Sequence, residues 1–151
     1  MKYPKYLSSL LTIFAAISLT FTACDNDDEN TFAAPKINLT EVEIDNSLQC
    51  SPGHDLHLEA DIVAEGSIKR IDIEIHQEEE GSFEIEKSYT EGKYIGVRNT
   101  EFHEHIDIPQ DAPLGSYHLH FIVTDQKGQQ TTAECELEMV EDNGEEANHH
   151  H

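Results

Sequence analysis

The sequence predicts an all-β chain folded as an immunoglobulin-like antiparallel sandwich of about seven strands. Three observations carry this expectation. Alternation of apolar and polar residues with a period of two recurs about six times between residues 36 and 140. Glycine-, proline- and aspartate-rich turns separate the runs. No 11-residue window carries a helical apolar stripe. Short strands with regular turns are the pattern of a sandwich.

The first run, "KINLTEVEI" (36–44), alternates without interruption. "SPG" (51–53) leads into "DLHLEADIVA" (55–64), whose Leu56, Leu58, Ala60 and Ile62 share one face. "EGS" (65–67) precedes "IKRIDIEIH" (68–76), with Ile71, Ile73 and Ile75 on one face and Asp72, Glu74 and His76 on the other. Residues 77–100 are long and polar, read as a mobile loop or as a short extra strand around Phe83 to Tyr89. "FHEHIDI" (102–108) offers Phe102, Ile106 and Ile108 to the core. After "PQDAPLG" (109–115), "YHLHFIVT" (117–124) offers Tyr117, Leu119, Phe121 and Val123. "DQKGQ" (125–129) turns the chain into "TAECELEMV" (132–140), with Ala133, Cys135, Leu137 and Met139 inward.

The flanks have a different chemistry. Lys2 and Lys5 precede an apolar stretch from Leu7 to Phe21, about 15 residues, which is short for a membrane span and suits an export signal. "TFTAC" resembles a bacterial lipoprotein signal cut before Cys24, which would then carry the lipid; Phe21 departs from the usual leucine. An ordinary secretory signal cut nearby is the alternative. The run "DNDDEN" (25–30) is too densely charged to pack and resembles the surface-export tether of Bacteroidota lipoproteins. The domain boundaries read as 1–23 signal, 24–34 tether, 35–140 sandwich and 141–151 an acidic tail expected to be disordered. The closing His149 to His151 is native or a purification remnant and enters no site.

The formal charge is −22. Cleavage before Cys24 leaves 7 of the 9 Lys and Arg against all 31 Asp and Glu, hence −24. This repels nucleic acid and anionic membrane surfaces and attracts cations. The expected attachment to a membrane is therefore the lipid, in an outer-membrane lipoprotein facing the cell surface or the periplasm. Once Cys24 is lipidated, Cys50 and Cys135 are an even pair in an oxidising compartment. They read as a disulfide candidate or as two separate buried thiols.

The histidines carry the functional lead. In a sandwich of this connectivity the runs at 55–64 and 102–108 are antiparallel neighbours in one sheet, and those at 68–76 and 117–124 in the other. His54, His57, His76, His103, His105, His118 and His120 then all fall toward one end of the sandwich. Residues two apart on a strand share a face about 7 Å apart, and cross-strand neighbours are about 5 Å away. His76, His118 and His120 thus make one three-nitrogen candidate, and His57, His103 and His105 a second. His54 joins either through the loop before residue 55, with Asp55, Asp107 or Glu101 as oxygen ligands or outer partners. Imidazoles in this number suit zinc or copper(II), with zinc first because its filled d shell imposes no geometry. A haem between two histidines would need an apolar pocket, and none is evident. Histidines on a wet strand face are also common without a metal, and clustered beside carboxylates they make a pH-responsive surface.

The stretch "GHDLHLEADIVAEGSIKRIDIEIH … FHEHIDIPQDAPLGSYHLHFIVTDQKGQQT" resembles a family of small Bacteroidota lipoproteins with a domain of unknown function, over roughly residues 35–140. The shared features are the histidine pairs and the Y-H-x-H-x-x-V-T-D-x-x-G ending. The resemblance implies an immunoglobulin-like sandwich and a lipid anchor, and no activity.

Three function classes are weighed against these residues. A hydrolase needs a cleft and a placed base; Ser51, Ser67 and Ser116 lie in turns without a nucleophile elbow, so the expectation is not an enzyme. A glycan-binding accessory module of a surface nutrient-uptake system would stack sugars on aromatics, but the chain has no Trp and offers only Tyr89 or Tyr94. A structural module would need none of the histidines. The expectation is a lipid-anchored envelope protein that binds transition metal through strand histidines, buffering it or passing it to an outer-membrane importer.

Overall fold

The computed structural model describes residues 32–78 and 83–142. The export signal, Cys24, most of the acidic tether and the tail beyond residue 142 lie outside the described residues. Eight strands are described: β1 (Lys36–Val42), β2 (Gln49–Cys50), β3 (Asp55–Val63), β4 (Ile68–Gln77), β5 (Glu84–Tyr89), β6 (Asn99–Asp107), β7 (Gly115–Asp125) and β8 (Gln130–Met139). They form a three-stranded sheet, β1-β3-β6, and a five-stranded sheet, β2-β8-β7-β4-β5. The all-β sandwich is the fold that the alternation predicts. The extra strand expected around Phe83 to Tyr89 is β5, at the edge beside β4.

The core is the alternation made solid. Leu56, Leu58, Ala60 and Ile62 of β3 face Ile71, Ile73 and Ile75 of β4 and Leu119, Phe121 and Val123 of β7, all essentially without solvent contact. Phe102 and Phe121 join the two sheets edge to face, with ring centroids 5.0 Å apart. Each fully buried aliphatic side chain contributes about 1.5–3 kcal/mol. At the start of β7 the Tyr117 hydroxyl donates to the carbonyl of Pro113 at 2.8 Å. This is the tyrosine corner of immunoglobulin-like domains. Two residues further on, where antibody domains place a cystine, stands buried Leu119.

The first strand is where simple alternation fails. Leu39 pairs with Ala60, but Glu41 and not Thr40 pairs with Glu59, so one residue bulges out of the ladder. The bulge reverses parity: Ile37 and Leu39 turn inward before it, Val42 after it, and Glu41 is carried to the outer face. The chain then crosses from the three-stranded sheet to the five-stranded one through a short 3-10 turn, Ile44–Asn46. Glu43, Asp45, Asn46 and Leu48 all have positive φ there. Such residues cost of order 1–3 kcal/mol each and persist only when held. Glu43 is held twice on His57, donating its N–H to the carbonyl at 2.8 Å and accepting from the His57 N–H at 2.9 Å.

The expected cystine is corrected. Cys50 and Cys135 are free thiols. β2 runs parallel to β8 with Cys50 opposite Met139, four residues along the strand from Cys135. Four residues of strand are about 13 Å, roughly twice the Cα separation that a disulfide spans. Instead the Cys50 Sγ lies 3.7 Å from the Met139 Sδ in the core. Burial, aided by the Glu43 carboxylate, pushes the Cys50 thiol up to about 11, and burial raises Cys135 as well. In a chain begun at Asp25, a thiol-specific chromogenic reagent at pH 8 should therefore react slowly with the native protein. After denaturation it should titrate both thiols. Their absence from the denatured chain would reinstate the cystine.

Candidate metal site

The outer face of the three-stranded sheet gathers His57 from β3 and His103 and His105 from β6. Period-two geometry puts them there: Leu56, Leu58, Phe102 and Ile106 turn inward, so their neighbours turn out. The register sets His57 opposite His105 and Glu59 opposite His103. One ring nitrogen from each of the three histidines lies within 4.8 Å of the others. The His57 and His105 rings are 5.0 Å apart at their centroids, and those of His57 and His103 4.9 Å.

Carboxylates stand beside the nitrogens that face away from the cluster. Asp55 Oδ2 lies 2.8 Å from His105 Nδ1. Glu59 Oε1 lies 3.3 Å from His57 Nε2, and Glu41 Oε2 3.7 Å from the same atom. The opposite ring nitrogens, His57 Nδ1 and His105 Nε2, face each other at 3.4 Å. A cation between them could take a lone pair from each neutral ring. Two nitrogens on a tetrahedral zinc at 2.0–2.1 Å are separated by about 3.3 Å. Glu59 Oε1 also lies 3.2 Å from His103 Nδ1. Carboxylates beside histidines in this way are able to orient metal ligands.

The other face of the sandwich repeats the device in a smaller form. His76 of β4 lies opposite His118 of β7, and His120 opposite Glu74. His76 Nε2 and His120 Nε2 are 3.1 Å apart. Glu134 Oε1 is 3.4 Å from His120 Nδ1, on the other side of that ring. His118 stands apart from this pair, its ring centroid 5.5 Å from that of His76 and its Nε2 3.8 Å from Glu78 Oε1. This face therefore offers two converging nitrogens, with the third histidine beside them.

His54 joins neither group: it is exposed, with Nε2 3.2 Å from Asp142 Oδ2. Of the other six, His57, His76, His105 and His118 lie toward one end of their strands, as expected, while His103 and His120 stand at mid-strand; the six divide between the outer faces of two sheets about 10 Å apart, so one ion cannot take ligands from both. Of the oxygen partners expected from sequence, Asp55 touches His105, Asp107 lies across the ladder from Asp55, and Glu101 lines a groove of about 310 Å³ beside Glu59 and His103. Glu41 and Glu59 were missed. Glu59 was legible, two residues from His57 on the same strand; Glu41 was hidden by the bulge.

Tyr94, from the loop before β6, supports the site from the edge. Its hydroxyl accepts from the His103 N–H at 3.2 Å and lies 2.9 Å from the His103 carbonyl and 2.7 Å from Glu104 Oε1. Burial tends to raise Glu104, but the Tyr94 hydroxyl and the Lys93 ammonium at 3.1 Å outweigh it and hold the carboxyl below the usual range. A depressed carboxyl stabilises the fold above its unfolded value, and that contribution fades as pH falls through the folded one. Tyr94→Phe should cost about 1–2 kcal/mol, the worth of buried hydrogen bonds left unmade, measured by urea unfolding. Tyr94 and Tyr89 are also packed on Phe102, at 4.8 and 5.3 Å between centroids; Tyr94 is buried, and Tyr89 is partly exposed.

Fold and site together define an immunoglobulin-like sandwich that carries clustered histidines beside carboxylates on both outer faces. The chain belongs to the family described as a domain of unknown function (DUF4625), whose model spans residues 22–140. No curated protein is similar to it. Among solved structures, it resembles catalytically inactive OgpA from Akkermansia muciniphila in complex with an O-glycopeptide (glycodrosocin) substrate. The TM-score is 0.51 at 10% identity, over 70% of this chain and 29% of that one. It also resembles Spo0M, a sporulation control protein from Bacillus subtilis, with a TM-score of 0.48 at 17% identity over 73% of this chain and 50% of that one. The chain thus spans less than a third of the first and half of the second, and the likeness to the first is one of fold.

Proposed function

We propose that this domain is a transition-metal-binding module of the cell envelope, not an enzyme, holding zinc or copper(II) on the outer face of the three-stranded sheet. The observation that carries the reading is the 3.4 Å approach of His57 Nδ1 to His105 Nε2, each opposite a nitrogen turned to a carboxylate. His57, His103 and His105 supply nitrogens; Asp55, Glu41 and Glu59 orient them and offset the charge of the ion. The His76–His120 pair is a second, weaker site. The overall charge of −22 raises the local concentration of cations. Cys24 is the proposed lipid anchor, in an outer-membrane lipoprotein facing the surface or the periplasm. Holding or handing on metal, to an outer-membrane importer, is the role that such placement serves.

Calorimetric titration of the metal-free protein with Zn²⁺ and with Cu²⁺ tests this. Saturable binding is expected, and it should survive in a His118→Ala/His120→Ala variant because the main site is on the other sheet. Histidines coordinate only when neutral, so binding should release protons and weaken as pH is lowered below neutrality. Absence of saturable heat with either ion at neutral pH would overturn the proposal.

A further inference from the structure

The proposed site uses one nitrogen of His57, but both nitrogens of that ring face ligand atoms. Nδ1 is 3.4 Å from His105 Nε2. Nε2, pointing away from it across the ring, is 3.3 Å from Glu59 Oε1 and 3.7 Å from Glu41 Oε2. His57 accordingly belongs to two overlapping ligand groups, one with His103 and His105 and one with Glu41 and Glu59. Its side chain is only 15% exposed, between carboxylates at 31% each, so this is the sheltered centre of the face. Glu41 reaches it only because the bulge in β1 turns that residue outward.

We infer that His57 is a bridging ligand between two metal ions, one held through Nδ1 with His105 and one through Nε2 with Glu41 and Glu59. His103, whose Nδ1 is 3.2 Å from Glu59 Oε1 and whose ring packs on His57, borders both. The first ion takes the lone pair of a neutral imidazole. The second replaces the proton on the remaining nitrogen, which leaves to the buffer, so His57 becomes an imidazolate. Glu41 and Glu59 then change from charged neighbours of the ring to ligands, and their two negative charges offset the added cation. Bonds of 2.0–2.1 Å on either side of the ring place the ions about 6 Å apart. The chemistry suits copper(II) or zinc, both of which take imidazole and carboxylate together.

This inference rests on the proposed site, and the experiment separates the two. The probe is Cu²⁺, added to full-length protein in which His76, His118, His120 and His149 to His151 are replaced by alanine; circular dichroism confirms the fold. One equivalent should give the full resonance of an isolated Cu²⁺ spin. A second equivalent should bind with release of one further proton, and the spin intensity should fall as the two ions couple through the ring. Glu41→Gln/Glu59→Gln in that background should bind one equivalent at saturating copper and show no coupling. His57→Ala should never show coupling. Two equivalents with additive, uncoupled intensity would overturn the bridge, as would saturation at one equivalent, which leaves the single-ion site standing. No binding at all would overturn both.

Discussion

His57→Ala should lower zinc affinity more than 100-fold, the largest effect of any single substitution on binding. The ring contributes one of the two nitrogens that face each other at 3.4 Å, and its centroid lies within 5.0 Å of both partners. Removing it leaves His103 and His105 two apart on β6, with centroids 6.0 Å apart. Loss of an orienting partner alone costs 10–100-fold in metal sites, so loss of the ligand must exceed that, and Glu59→Gln sets the scale within the same protein. His54→Ala is the control, since that ring contacts Asp142 away from the cluster. Competition with a chromophoric chelator measures all three. Equal affinity in His57→Ala and wild type would place the metal elsewhere.

Asp125→Ala should be the most destabilising change outside the apolar core. Asp125 is fully buried, yet it serves the turn between β7 and β8 completely. Its Oδ1 accepts from the backbone N–H groups of Lys127 and Gln129 at 2.9 and 2.8 Å, and its Oδ2 from the Gln129 side chain at 3.0 Å. Gly66, from the turn between β3 and β4, packs so closely on this carboxylate that an added Cβ would lie 2.6 Å from Oδ2. Alanine at 125 leaves two backbone donors without acceptors and a void beneath Gly66, which together cost about 3 kcal/mol. For a domain near 100 residues that is a fall of about 15 °C in Tm. Asp125→Asn keeps the shape and one acceptor oxygen, so it should cost about half as much. Gly66→Ala should destabilise by about 2 kcal/mol from the other side of the same contact. Differential scanning calorimetry of the three variants checks the order; an unchanged Tm in Asp125→Ala would show that water replaces the carboxylate without loss.

The fold and the histidine faces were legible because both follow from a period of two. Leu56 and Leu58 turn inward, so His57 must turn outward, and the same logic places His103, His105, His118 and His120. Neighbouring strands follow from the connectivity of the sandwich, which made His57 and His105 partners before any coordinate. What parity cannot show is a break in itself. "KINLTEVEI" reads as one regular strand, in which Glu41 would share the face of Ile37 and Leu39; only the ladder with β3 exposes the bulge. The proposed cystine failed for a related reason. Cys50 and Cys135 do lie on adjacent strands, but adjacency says nothing of register, and a short parallel pairing set Cys50 against Met139. Register depends on how the segment 43–48 crosses between sheets, through positive φ angles at glutamate, asparagine and leucine that propensity would not assign.

That crossing has a mechanical consequence. A single thread, residues 36–50, is stitched into one layer by β1 and into the opposite layer by β2. Neither layer can peel from its neighbour without dragging this thread, which pairs Val42 with Leu58 on one side and Cys50 with Met139 on the other. Unfolding should therefore be concerted across the whole domain, and a pull applied from the N-terminal side would load both layers together.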